Sequence, residues 1–472
     1  MNKTNSNITL TSFGAAGEVT GSKHLLETPQ GSRILLDCGL FQGRRQEAAR
    51  KNCSFGFNPG SIDAVVLSHA HIDHSGLLPK LAKEGFKGPI YATEGTCELA
   101  DPMLRDSGHI QEEDEEFIKR HRIKTSLDCQ LPIYTEEDAV AVLKQFVGKP
   151  YYDQFDVTDD VRVEFLDAGH VFGSAIVVVT IQVPDGERRL VFTGDLGRSD
   201  LPILRDPMSV KKADYLMIES TYGDRSHNRV KEVEDDLAAV ITKTAKRGGK
   251  VFIPCFALER TQEIILRIEE LIATKRIPNL KIYLDSPLAI RLTKVFQKYP
   301  EYYDEATAQL YKKKRHVFSF PNLEYTESVD ESKALNSIHV PSIIIAGSGM
   351  AESGRIRHHL KNNIEDPKHS VLMVGYQAEE TLGRKLVDGY KVVSMFNQNY
   401  HVRAEIFVFR SLSAHADQHD LDQYVEGIKG LKKIILVHGE EISRKAFAER
   451  IRSIRPEADI ILPIMGQTNI LE

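Results

Sequence analysis

Residues 68–76 read SHAHIDHSG, which places His69, His71, Asp73 and His74 within six consecutive positions. A buried imidazole or carboxylate costs free energy unless it is hydrogen-bonded, paired or coordinated. No helix or strand needs this density of such side chains for its own packing. A dinuclear metal centre would satisfy all four together. His69 and His71 lie two apart, so an extended backbone turns both to one side. Asp73 and His74 follow on a turn closed by Gly76. A chain built around this segment must bring further ligands to it from distant positions.

Three candidates sit just behind apolar, strand-like runs: His170 after VRVEFLDAG, Asp195 after RLVFTG and His438 after KKIILV. Alone, a histidine behind a strand is more often a surface or hydrogen-bonded residue than a ligand. Beside HxHxDH the balance reverses, because the cluster needs partners to complete its coordination. Imidazole and carboxylate donors suit zinc. His69, His71 and His170 are expected on one zinc ion, and Asp73, His74 and His438 on a second. Asp195, with two carboxylate oxygens, is expected to bridge them. Asp37 closes the run RILLD. It is either a turn aspartate or a partner that orients a metal-bound histidine.

A chain of 472 residues is long enough for two domains, and 41% apolar with 27% charged residues is ordinary for a folded core. A net charge of -6 argues against coating nucleic acid by bulk charge, while leaving room for a local basic groove. The five cysteines, Cys38, Cys53, Cys97, Cys129 and Cys255, form no CxxC pair. Reduced cytosolic thiols are expected rather than a disulfide framework or a thiolate zinc site. The start of the chain lacks a signal-peptide pattern, and its longest apolar stretch, residues 175–183, falls well short of the roughly 20 residues that span a bilayer. The expected location is the cytoplasm, with no membrane partner.

Along the first 210 residues, short strand-like runs alternate with Gly-containing turns, and helices are expected over residues 97–122 and 136–146. From residue 211 the texture changes to strand-like runs alternating with longer helical runs, the pattern of βαβ units and a mainly parallel sheet. Strand texture returns near residue 403. The simplest organisation is one domain (residues 1–210 and 395–472) interrupted by a second over residues 211–394.

HxHxDH with a downstream His and Asp resembles the metallo-β-lactamase fold family, whose successive motifs correspond here to Asp37, His69 to His74, His170 and Asp195. The later runs IESTYG, LSAHAD and LVHGE resemble the three motifs of the β-CASP nucleases, carried here by Glu219, His415 and His438. In these motifs the chain resembles the pre-mRNA 3′-end endonuclease of the cleavage and polyadenylation machinery and its bacterial and archaeal counterparts. The resemblance spans nearly the whole chain. It implies an α/β fold: a metallo-β-lactamase αββα sandwich with an inserted β-CASP domain built on a parallel sheet.

It also implies chemistry. Two zinc ions would activate a shared water, and the resulting hydroxide would attack phosphorus in line. Asp73 would take the water's remaining proton. His415 would protonate the departing oxygen, held by Glu219. The products would carry a 5′-phosphate and a 3′-hydroxyl. A histidine at position 438 favours RNA, since DNA-directed members typically lack it. Single-stranded RNA is thus the implied partner, cut as an endonuclease and, in some relatives, trimmed 5′ to 3′; a homo-oligomer is compatible.

Three segments resemble those that line the RNA cleft. GSGMAESGR, with Ser348, Gly349, Ser353 and Arg355, is a Gly/Ser loop at a helix start, suited to a phosphate. GYQAEETLGRKL brings Arg384 and Lys385, and PCFALERTQE brings Arg260. The run KKKR at 312–315 reads as a solvated helix face. Two other readings keep part of the pattern: a small-molecule metallo-hydrolase of the same fold, or a non-catalytic RNA-processing subunit. The insertion argues against the first and the complete ligand set against the second.

Overall fold

The computed structural model describes residues 7–43, 45–120, 131–227, 230–314, 317–375, 377–378, 380–409 and 412–472. The ends of the expected helix at 97–122 and of the KKKR run, together with Cys129, Tyr376 and Glu379, lie outside these. The chain divides into two compact units, one from residues up to Ser226 together with Ala414–Glu472, the other His227–Ser413.

The first unit contains two seven-stranded sheets. In one, Thr468–Ile470, Thr9–Ser12, His24–Glu27 and Arg33–Leu36 are antiparallel neighbours, and Ala64–Val66, Ile90–Thr93 and Phe146–Lys149 continue in parallel. In the other, Gln154–Thr158, Val161–Asp167, Ala175–Val183 and Gly186–Phe192 run antiparallel, then Tyr215–Glu219, Lys433–Val437 and Asp459–Ile461 are added in parallel.

Why the sheets stack is visible in the run AIVVVTIQV. Successive side chains of a strand point to opposite faces. Ala175, Val177, Val179 and Ile181 enter a core shared with Leu10, Ile34, Leu36 and Val66 of the other sheet. Ile176 and Val178 face away, into a cluster with Leu421, Val425, Phe447 and Ile451. Those last four come from helices Gln418–Gly427 and Glu441–Ile454. A strand buried on both faces reads as a nearly continuous apolar run. The outer face of the first sheet is covered likewise, with Leu35, Val65 and Leu67 packed against Leu78, Leu81, Leu104 and Val142. The unit is therefore layered α/β/β/α.

The second unit holds a six-stranded, wholly parallel sheet in the order Leu323–Tyr325, Lys281–Leu284, Ser342–Ala346, Val251–Pro254, Ser370–Met373, Glu405–Val408. A separate hairpin pairs Val392–Met395 with Gln398–His401.

Both expected boundaries move. Tyr215–Glu219 had the βαβ texture of the insertion, yet it pairs with Gly186–Phe192 and Lys433–Val437 in the first unit. Glu405–Val408, expected after the insertion, pairs with Ser370–Met373 inside it. The second unit therefore spans His227–Ser413 rather than 211–394. The edge strands Phe146–Lys149 and Gln154–Thr158 were not foreseen, because their polar alternation lacks an apolar run. The capped helix stops at Val142, short of 146, with Thr135 and Asp138 forming a capping box at its start. Among the described residues Cys38, Cys97 and Cys255 are free. Among the described residues no helix is long and apolar enough to cross a membrane.

Candidate active site

The loops behind strands of both sheets of the first unit meet at one place. His69, His71, His170 and Asp195 each offer a donor atom within 4.8 Å of the others, and so do Asp73, His74 and His438. Asp195 is 2% exposed and faces both groups, one oxygen to each. Its Oδ2 lies 3.7 Å from His69 Nε2 and 3.4 Å from His170 Nε2. Its Oδ1 lies 3.3 Å from His74 Nε2 and 3.3 Å from His438 Nδ1. His71 Nδ1 is 3.1 Å from His69 Nε2 and 3.4 Å from His170 Nε2, and His438 Nε2 is 3.6 Å from Asp73 Oδ2.

These spacings fit metal ligation. Zinc–donor bonds of about 2.0–2.1 Å in a tetrahedron set neighbouring donors about 3.3–3.4 Å apart. Several of the atoms are also buried without a hydrogen-bond partner: His74 Nε2, His438 Nε2 and Asp195 Oδ1. A close approach of 3.3 Å between His74 and Asp195 without hydrogen-bond geometry is a poor protein–protein contact and a good pair of ligand positions. Burial pulls His69 and His170 well below their ordinary pKa and His71 to about 4. Neutral imidazole is the form that ligates a metal. Burial acts on His74 too, but the Asp195 and Asp37 carboxylates outweigh it and hold this ring well above its usual value.

Asp37 sits at φ 60°, fully buried. It accepts from Ser68 N at 2.8 Å, Ser68 Oγ at 3.0 Å and Ser22 Oγ at 3.1 Å, and lies 2.7 Å from His74 Nδ1. That contact turns His74 Nε2 toward Asp195. Two glycines permit the convergence of loops. A Cβ on Gly39 would stand 1.6 Å from Asp73 O, and one on Gly197 would stand 1.8 Å from Gly169 O.

Beside the donors, Glu219 is fully buried at the end of its strand and accepts from Leu196 N at 2.6 Å. His415 Nδ1 lies 3.0 and 3.1 Å from its two oxygens and 4.0 Å from Asp195 Oδ2. Burial pulls His415 down, but Glu219 and Asp195 prevail and raise it to about 9. The His415 side chain is 21% exposed, so the ring is held by Glu219 on one side while still reaching the surface of the site.

The metallo-β-lactamase superfamily model matches residues 17–242, the β-CASP domain model residues 261–386, and the Zn-dependent metallo-hydrolase RNA specificity domain model residues 399–463. Ribonuclease TTHA0252 of Thermus thermophilus is 38% identical over 91% of this chain and 92% of its own length. The chain belongs to the β-CASP family of the metallo-β-lactamase superfamily. Two other relatives come from Methanocaldococcus jannaschii. Its transcription termination factor FttA is 30% identical over 94% of this chain and 68% of its own. Its RNase J-like protein is 30% identical over 93% and 96%. A crystal structure of a protein of unknown function from Enterococcus faecalis V583 shares the fold, with a TM-score of 0.56 at 14% identity over 98% of this chain and 100% of that one.

Within the β-CASP unit, three segments assemble at the carboxyl ends of parallel strands, where open α/β sheets bind ligands. Ser353 N donates to Ser348 Oγ at 3.2 Å, and Ser353 starts helix Gly354–Asn363. Gly383 N donates to Met350 O at 3.0 Å, tying that loop to the helix Leu382–Val387, which carries Arg384 and half-buried Lys385. Gly349 packs on Phe256, so close that a Cβ would stand 2.6 Å from the ring.

The three arginines expected to face RNA are otherwise engaged. Arg260 is 9% exposed and pairs with Glu263. Arg355 donates to Asp285 Oδ1 at 2.7 Å, Thr326 O at 2.9 Å and Glu327 O at 2.7 Å. Arg260 and Arg355 thus each have a carboxylate partner inside the unit, which answers part of their charge. Arg384 Nε pairs with Asp388 at 2.9 and 3.0 Å.

Two site residues were not foreseen. Ser68 Oγ lies 3.0 Å from His69 Nδ1 as well as against Asp37, and Thr221 Oγ1 lies 3.0 Å from His438 Nδ1. Each adjoins a motif, Ser68 ahead of HxHxDH and Thr221 inside IESTYG, and that adjacency was the available signal.

Proposed function

We propose that this metal-dependent β-CASP ribonuclease is a two-zinc enzyme hydrolysing phosphodiester bonds of single-stranded RNA in the cytoplasm. His69, His71 and His170 would hold one ion, Asp73, His74 and His438 the other, and Asp195 both. When bound, such a metal pair supplies Lewis acidity to water and to the phosphoryl oxygens. Asp73 accepts the proton of the attacking water. His415 gives a proton to the departing 3′-oxygen as the P–O3′ bond breaks, leaving a 5′-phosphate and a 3′-hydroxyl. Glu219 keeps the imidazole protonated and aligned. Ser348, Gly349, Ser353, Arg384 and Lys385 would contact the RNA backbone, with Arg260 and Arg355 contributing charge and holding the loops beside them.

The observation that carries this reading is the Glu219–His415 pair, 3.0 Å apart beside Asp195. A proton donor held ready there suits expulsion of an alkoxide. The names of the relatives, a ribonuclease and an RNase J-like protein, support the substrate class. The test is cleavage of 5′- and 3′-labelled single-stranded RNA and DNA with zinc or chelator. Chelator-sensitive RNA cleavage giving 5′-phosphate ends is the expected result. Uncut RNA in the presence of zinc refutes it. The two labels separate internal cuts from 5′-to-3′ trimming.

A further inference from the structure

The hairpin Val392–Met395 and Gln398–His401 closes through two residues, Phe396 and Asn397, with Met395 paired to Gln398. Both turn residues have positive φ, 50° and 60°. Two-residue turns of this kind favour Asn-Gly or Asp-Gly, because a side chain in left-handed backbone meets the chain. A bulky phenylalanine at the first position is an outlier, and such outliers accompany functional constraint. Nothing in the core requires it, for Phe396 is 38% exposed.

Its surroundings are cationic. The helix Gly354–Asn363 presents Arg357 and Lys361 one turn apart. The Arg357 guanidinium carbon lies 4.6 Å, and Lys361 Nζ 5.5 Å, from the Phe396 ring centroid. The exposed His358 ring stands 4.7 Å away, tilted by 33°. Lys391 and Arg403, at the open end of the hairpin, are also exposed. This concentration of positive charge occurs in a chain whose net charge is -6. A partly exposed aromatic ring with cations held over and beside it is a combination by which proteins hold single-stranded nucleic acid without reading its sequence.

We propose that Phe396, with Arg357, His358 and Lys361, is a base-stacking platform of the β-CASP unit for a segment of single-stranded RNA. It rests on the reading of the chain as an RNA-acting enzyme and adds to it a contact with bases rather than backbone. The ring stacks on one base while Arg357 and Lys361 meet flanking phosphates. Because stacking tolerates any base, the platform would give affinity without sequence preference.

The test uses the full-length, metal-loaded chain and a fluorescent, phosphorothioate-linked oligouridylate of about 12 nucleotides, within the range of known strand-binding sites. Phe396→Gly is the informative variant, since glycine suits the positive φ and preserves the turn. It should weaken binding roughly fivefold to a hundredfold, the range expected for one lost stack. Phe396→Trp should retain affinity. An abasic oligomer should bind wild type and Phe396→Gly alike. Replacing Arg357 and Lys361 by Gln should flatten the salt dependence on both oligomers.

Equal affinity of wild type and Phe396→Gly for the oligouridylate overturns the proposal, as does an equal loss on the abasic oligomer. So does a change of molecular mass in Phe396→Gly with RNA affinity intact, which would make the turn a protein contact. Failure of the two readings is distinguishable. Wild-type protein that leaves RNA uncut, yet loses affinity with Phe396→Gly, removes the nuclease and keeps the platform. Wild-type protein that cuts RNA, with Phe396→Gly binding normally, does the reverse.

Discussion

Glu219 and His415, 196 positions apart in the chain, meet at 3.0 Å on the rim of the donor cluster, with the carboxylate fully buried and the imidazole partly open. Burying a carboxylate costs free energy unless it is hydrogen-bonded or paired, and here Leu196 N and His415 both face it. The pair thus sets the protonation state of His415.

This yields a pH dependence. As a proton donor His415 works in its charged form, which Glu219 and Asp195 sustain up to a pKa of about 9 against the opposing effect of burial. Turnover should be maintained through neutrality and fall as pH rises through the folded-state value. Glu219→Gln should move that alkaline limb toward lower pH, while His415→Ala should reduce kcat about 10²- to 10⁴-fold. Pre-steady-state pH profiles, with zinc content measured alongside, check both. Zinc lost from His415→Ala would mark His415 as a ligand instead.

Asp195 faces both donor groups through separate oxygens. Asp195→Asn should therefore empty both positions, whereas His438→Ala should empty chiefly one. By elemental analysis, wild type should carry about two zinc ions per chain, the expectation for a two-metal centre. His438→Ala should carry about one. Equal zinc in all three proteins would remove the metal assignment.

Gly39 lies against Asp73 O, where a Cβ would stand 1.6 Å away. Gly39→Ala forces the segment carrying Asp73 and His74 to move. Overpacking of this kind typically costs about 1–3 kcal/mol, but the larger effect should fall on zinc affinity, since both ligands shift together. Isothermal titration of zinc against Gly39→Ala, beside a urea melt, separates the two effects.

Asp285 is fully buried and is held by Arg355 at 2.7 Å, His359 at 2.6 Å and Ser332 at 2.6 Å. Removing one partner of a buried ion pair commonly costs about 3–5 kcal/mol. Arg355→Ala should destabilise the β-CASP unit on that scale, visible as an earlier unfolding transition. A pure phosphate contact would instead weaken RNA binding and leave the melt unchanged.

How legible all this was depends on the range of the interaction. The HxHxDH cluster is local, and its ligand chemistry follows from residue type and spacing. His170, Asp195 and His438, which the fold gathers beside that cluster, each follow an apolar run whose strand character is readable from sequence. Alternating apolar texture was enough to expect a second, parallel-sheet unit.

The sequence by itself thus determined residue chemistry, strand texture and the order of motifs. Tertiary structure decided which sheet each strand joins and which charges remain available. Tyr215–Glu219 looks like any βαβ strand, and only pairing with Lys433–Val437, more than 200 positions away, assigns it to the first unit. Arg355 reads in sequence only as a loop cation, and that Asp285, 70 positions earlier, pairs with it is visible only in the fold. The physical reason is common to both. Hydrogen-bond registers and ion pairs are satisfied by whichever partner the folded chain brings near, and local sequence carries no record of that partner. A dense cluster of buried imidazoles and carboxylates asks for the same kind of partner in any fold, whereas an arginine is answered by whichever carboxylate the fold supplies.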